Sequence, residues 1–231
     1  HIRREKATSN ICTAQALLAV MASSYGVYHG PDGVKTIANA IHQKALHIAG
    51  ALGSNQLNTR FFDTLKIKVD NQSEVKAKAE AAGVNFRYYA DGHVGVSVNE
   101  AMSAADVQEV IALLGGKAGA IGSDALKGFE RTSLYMTHPV FNTHRSETEM
   151  LRYLKKLENK DLSLAHAMIA LGSCTMKLNA TSEMIPLTWP EFSDIHPFAP
   201  SEQARGYAEI IAELHDDLCK CTGFSGMSLQ P

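Results

Sequence analysis

The groups able to do chemistry gather in one stretch. Gly172-Ser173-Cys174-Thr175-Met176-Lys177-Leu178-Asn179 sets hydroxyl, thiol, ammonium and amide groups side by side between two apolar runs of segment 161–200. That mixture is too polar for a core. Ser173, Cys174, Thr175 and Asn179 offer donors and acceptors suited to a carboxylate or a phosphate, whereas the bland reading is a turn that satisfies its own backbone. Lys177 offers a Schiff-base nucleophile or an anion anchor. On the residues alone a solvated loop lysine is the better reading, because a reactive lysine needs burial or cationic neighbours. No base accompanies Cys174, which argues against a nucleophilic role.

A second polar knot follows at Ile195-His196-Pro197-Phe198-Ala199-Pro200. Its prolines stiffen the loop, and His196 is the one imidazole there. His196 could stack on an aromatic ring or move a proton; otherwise it is a loop histidine bonded to a backbone carbonyl. Phe198 reads as a site wall or a packing aromatic. Thr8, Ser9 and Asn10 precede a helical pattern and could meet a phosphate at its N-terminus, although an N-cap is the commoner use of such residues. Arg3 and Arg4 could pair a carboxylate or simply be solvated. His215, Cys219 and Cys221 form H-x3-C-x-C. His215 and Cys219 share a helical face, but structural zinc takes four ligands, usually with CxxC pairs, so no metal is expected. His138 and His144 lack a partner pattern.

The elements that must position these groups can be read from periodicity. Ile11–Tyr28 is rich in alanine, leucine and methionine and predicts a buried helix. His29-Gly30-Pro31-Asp32-Gly33 is a turn, and Val34, Ile37, Ile41, Ala45, Ile48 and Leu52 predict a second helix by their spacing of three and four. From Phe62 to Val69 the pattern alternates, predicting a strand with one wet face. Glu74–Ala82 predicts a short helix stopped by Gly83. Segments 86–90 and 94–98 predict two strands joined by an Asp91-Gly92 hairpin turn. Ser103 opens a helix that runs to Leu114. Lys117–Thr143 reads as irregular, and Pro139 argues against helix there. Ser146-Glu147-Thr148-Glu149 is a capping box starting a helix at 147. Ser201 is expected to cap the last helix, Gly223 to end it, and Met227–Gln230 to begin a strand. Together these describe an α+β subdomain with a helical arm, an α/β chain in the broad sense.

Composition excludes more than it selects. The 231 residues are 45% hydrophobic and 20% charged, with a formal net charge of 22 − 24 = −2. That range is ordinary for a soluble domain, and gives no electrostatic reason to expect nucleic acid or an anionic membrane as partner. The apolar run around Ala14–Ala22 is too short to span a bilayer, which takes about 20 residues. Cys12, Cys174, Cys219 and Cys221 are too few for a disulfide scaffold in a chain of this length and read as free thiols.

The run GSCTMKLNATSEMIPLTWPEFSDIHPFAPSEQARGY closely resembles the glycine-cleavage P-proteins, and so do HIRREKATSNICTAQALLAVMA and HPVFNTHRSETEMLRYLKKLENKDLSL. The resemblance covers the chain from His1 to Pro231. It implies part of a type I pyridoxal-phosphate-dependent transferase-like fold. Residues 1–52 would be the helical end of a large domain, 53–145 the small α+β domain of a first half, and 146–231 a linking arm and the start of a second half. The chain begins in mid-motif and ends in SLQP, and is therefore expected to be a fragment straddling the junction of two homologous halves.

The implied enzyme is a glycine dehydrogenase (aminomethyl-transferring), an oxidoreductase of glycine catabolism. It would form a pyridoxal-phosphate aldimine with glycine, release carbon dioxide, and pass the aminomethyl group to the lipoyl group of the H-protein. A homodimer is implied, cytoplasmic in a bacterium or in the mitochondrial matrix of a eukaryote. In the family the aldehyde-binding lysine follows a histidine, and this chain has no His-Lys pair. The resemblance therefore implies that no catalytic Schiff-base residue lies here and that the chain alone is inactive. Ser173, Cys174, Thr175, Lys177, Asn179, His196 and Phe198 would line the substrate and cofactor site, with Thr8, Ser9 and Asn10 as phosphate contacts. The alternative is a non-catalytic scaffold or dimerisation piece with apolar surface exposed for docking.

Overall fold

The computed structural model describes residues 14–117, 119, 121–123, 125–160, 182 and 185–229. The chain divides into two compact units, with described residues 14–160 in the first and 182–229 in the second.

The first unit is built on α1 (Ala14–Leu52), which is broken at Gly30, where φ is 63° and ψ −179°. The expected five-residue turn is thus compressed into a kink. Gly30 takes a backbone conformation open to glycine, and Pro31 restarts the helix at a position where a missing N–H costs nothing. A Cβ on Gly30 would also lie 2.6 Å from the Arg145 guanidinium and 2.7 Å from the Phe141 carbonyl oxygen.

The two parts of α1 differ in burial. Toward its C-terminus Ala45, Leu46, Ile48, Ala49, Ala51 and Leu52 are buried. Toward its N-terminus Leu17, Leu18, Val20 and Met21 are each more than half exposed. The expectation of a buried helix over Ile11–Tyr28 is corrected there: alanine- and leucine-rich composition favours helix by propensity, but does not by itself supply a surface to bury against.

The C-terminal part of α1 packs on a three-stranded antiparallel sheet of order β1-β3-β2, made of β1 (Thr64–Ile67), β2 (Arg87–Tyr88) and β3 (Val94–Ser97). Leu65 opposes Val96 and Ile67 opposes Val94, and these four residues are at most 3% exposed. Thr64 and Lys66 face outward, the alternation expected of β1. Each such apolar side chain contributes about 1.5–3 kcal/mol when fully buried. The tip of the β2–β3 hairpin turns at Gly92, where φ is 83°.

Two short helices complete this core. In α2 (Gln72–Ala81), the Asn71 side chain accepts the Glu74 N–H, and Gly83 follows with φ 74°. In α3 (Ala104–Leu113), Ser103 Oγ accepts the Asp106 N–H at 3.2 Å while Asp106 Oδ2 accepts the Ser103 N–H at 2.6 Å. Val107, Val110 and Ile111 of α3 close the core against α1 and the sheet.

Among the described residues after α3, the next element is a 3-10 turn at Pro139–Asn142. Proline argued against helix here, yet at the first position of a short turn its lost N–H has no partner to miss. Then α4 (Glu147–Glu158) starts where expected, with Ser146 Oγ accepting the Glu149 N–H at 3.3 Å. Met150 is buried, while Leu151 is 60% exposed.

The second unit holds 3-10 turns at Ile185–Thr188 and Ser201–Gln203, the short α5 (Pro190–Ser193), and α6 (Arg205–Thr222). Ser201 does not cap α6 as expected. It begins a 3-10 turn of its own, and the residue before α6 is Ala204, with no side-chain cap. Gly223, with φ 76°, ends α6 by donating its N–H to the Cys219 carbonyl at 2.8 Å. Residues 227–229 form no strand, against expectation. Among the described residues the architecture is thus helices with one small antiparallel sheet, consistent with an α/β chain, and no helix is long and apolar enough to cross a membrane.

Candidate functional site

Of the residues singled out in the sequence, Thr8, Ser9, Asn10, Ser173, Cys174, Thr175, Lys177 and Asn179 lie outside the described residues. His196 and Phe198 are described, and the loop that carries them is held by an aromatic cluster in the second unit. Trp189 and Phe192 lie with ring centroids 6.2 Å apart, and Phe192 meets Tyr207 of α6 edge-on at 6.0 Å. The Tyr207 hydroxyl donates to the Phe192 carbonyl at 2.5 Å. A stiff Pro-Phe-Ala-Pro sequence then has one short path from α5 to α6.

Within that loop His196 Nδ1 accepts the Phe198 N–H at 3.0 Å, and the His196 carbonyl accepts the Ala199 N–H at 2.9 Å. The bland expectation of a bond to a backbone carbonyl is modified: the ring nitrogen receives a main-chain N–H. In the neutral ring, a lone pair used at Nδ1 puts the proton on Nε2. The residue is exposed, so Nε2–H is available as a donor. Phe198 is 89% exposed, with its centroid 5.9 Å from that of His196. Its ring is thus an exposed apolar surface among the described residues.

The first unit holds a groove that sequence reading missed. It is a cavity of about 300 Å³ between α1 and α3, lined by Gln43, Lys44, His47, Val107, Gln108 and Ile121 among others. Lys44 is not a free amine there. Its Nζ donates to the carbonyl oxygens of Asn99, Glu100 and Met102 at 3.3, 3.2 and 2.5 Å. An ammonium has three donors, and all are spent on holding the loop that leads into α3. What remains in the groove is amide and imidazole, with His47 Nε2 3.4 Å from Gln108 Nε2. The only sequence signal was the spacing of Gln43 and His47 by one helical turn, which is common on any helix.

Two further polar clusters are structural. Lys66 Nζ lies 2.5 Å from Asp91 Oδ2, and the Asp91 carboxyl is held well below the usual carboxylate range, chiefly by that ammonium. Tyr25 donates to Glu100 Oε2 at 2.7 Å, and this bond to a carboxylate pushes the phenol up. At the end of α6, His215 Nε2 lies 3.9 Å from Cys219 Sγ on one helical face, as expected. Cys221 is exposed, and among the described residues no three His, Cys, Asp or Glu side chains come together to hold a metal.

The comparisons with known proteins bear on the chain as a whole. Residues 1–114 match the family described as glycine cleavage system P-protein. The full chain is similar to the glycine dehydrogenase (decarboxylating) of Xanthomonas euvesicatoria, 55% identical over 239 residues that make up 100% of this chain and 25% of that protein. The protein of the same name from Shewanella amazonensis is 55% identical over 247 residues, 100% of this chain and 26% of its own length. That from Deinococcus radiodurans is 53% identical over 244 residues, again 100% of this chain and 25% of the relative. The chain thus spans about a quarter of the length of the curated relatives it matches.

Proposed function

Because this chain belongs to the glycine cleavage system P-protein family, we propose that it is part of a glycine decarboxylase that joins glycine to pyridoxal phosphate, releases carbon dioxide, and passes the aminomethyl group to the lipoyl group of the H-protein. The observation that carries the reading is a match at 55% identity that spans 100% of the chain. The reading extends to a cytoplasmic homodimer and to a partial type I transferase fold. In that fold 1–52 is the helical end of a large domain, 53–145 a small α+β domain, and 146–231 an arm leading into a second half.

The His196 loop fits the proposed cofactor. An exposed imidazole whose Nδ1 is fixed by the Phe198 N–H has a set orientation and a free Nε2–H to offer the cofactor. When bound, pyridoxal phosphate supplies the electron sink for the pair left by the departing carboxylate. The roles assigned to this chain are binding and enclosure. Ser173, Thr175 and Asn179 present donors to a carboxylate or phosphate, with Cys174 beside them. Lys177 adds a cation to the wall. Phe198 keeps water from the reacting carbon, and Thr8, Ser9 and Asn10 offer hydroxyl and amide groups to the phosphate. The Schiff-base lysine lies outside this chain.

Two measurements test this. The longer protein containing this chain is expected to exchange labelled bicarbonate into the carboxyl group of glycine when given pyridoxal phosphate and lipoylated H-protein, and the chain alone is expected not to. Exchange by the chain alone refutes the division of labour, and no exchange by the longer protein refutes the reading itself. Borohydride reduction of the chain mixed with pyridoxal phosphate, followed by peptide mapping, is expected to leave Lys177 unlabelled. A label there relocates the nucleophile. The second reading, a scaffold or dimerisation piece, is favoured by the apolar side chains that α4 and α6 leave exposed, among them Leu151, Ile210 and Ile211.

A further inference from the structure

No further inference is drawn: the strongest candidate, the pair of exposed apolar stripes on α4 (Leu151, Leu154, Leu157) and α6 (Ile210, Ile211, Leu214), carries nothing because nothing in the structure shows what covers either face.

Discussion

Replacing Gly50 with alanine should destabilise the first unit, although Gly50 lies inside α1, where helix propensity alone favours alanine by up to about 1 kcal/mol. A Cβ at this position would stand 2.4 Å from the Gly122 nitrogen and 2.6 Å from the Ile121 carbonyl carbon. Both are main-chain atoms, which cannot rotate aside. To restore a contact of 3.4 Å the 121–122 backbone must retreat by 3.4 − 2.4 = 1.0 Å. That movement stretches the Gly122 N–H bond to the Leu46 carbonyl, now 2.9 Å, beyond hydrogen-bonding range. Overpacking costs about 1–3 kcal/mol and the lost bond about 0.5–1.5 kcal/mol. Less a propensity gain of about 1 kcal/mol, the expected net loss is about 0.5–3.5 kcal/mol.

The control is Gly206→Ala in α6, where a Cβ meets nothing within 4 Å. It should be neutral to stabilising, by up to about 1 kcal/mol. Since the two glycines sit in separate units, the assay is amide hydrogen exchange by mass spectrometry in increasing urea, with each variant read on peptides from its own helix. A Gly50→Ala protein at least as protected as its parent over 45–52 would refute the argument. So would a Gly206→Ala protein that loses protection over 207–218.

Ser103→Ala removes one arm of the α3 capping box and should lower urea stability of the first unit by about 0.5–2 kcal/mol; no change would mean the cap is idle. The Asp91 carboxyl has its folded value depressed below the ordinary 3.8 by Lys66. Its contribution to the hairpin is therefore fully present above that ordinary value and is lost as pH falls through the folded value, well into acid. Hairpin protection should thus be flat from neutrality to about pH 5 and fall only in more acidic solution, and Asp91→Asn should flatten that acid limb. In the longer protein, His196→Asn keeps an acceptor for the Phe198 N–H while deleting the ring. It should weaken pyridoxal phosphate retention by up to about tenfold, the equivalent of one stacking contact of about 0.5–1.5 kcal/mol. Unchanged cofactor affinity and turnover would remove His196 from the site.

Much of the fold was legible because local chemistry and long-range packing agree. The Ser103 and Ser146 caps, Gly83 and the Asp91-Gly92 turn each mark a boundary by side-chain or backbone geometry, and these boundaries stand in the structure. Alternation at Leu65 and Ile67 named the buried face of β1 because a strand presents successive residues to opposite sides. Where inference slipped, the missing information was tertiary. Composition made Leu17 to Met21 look buried, but burial depends on what packs against them. Ser201 has the chemistry of a cap, but a 3-10 turn stands between it and α6. At the candidate site, residues 173–179 lie outside the described residues, and their role as ligand donors rests on residue type alone. The bond that orients His196 comes from a residue two positions on, and no pattern of spacing announces it.

The strand order has a consequence for how the chain is made. The middle strand of the sheet, β3, is the last of the three in sequence. Ile67 pairs with Val94, which leaves the ribosome 94 − 67 = 27 residues later. At about 5–20 residues per second, β1 waits on the order of a few seconds with the edge that β3 will take unpaired, while its other edge can already bond the preceding residues 55–58. Its four residues and the outward Lys66 make it a poor template for a stray strand during that interval. The β2–β3 hairpin is the local pairing, closed across residues 89–93, whereas β1 can pair only once β3 has been made.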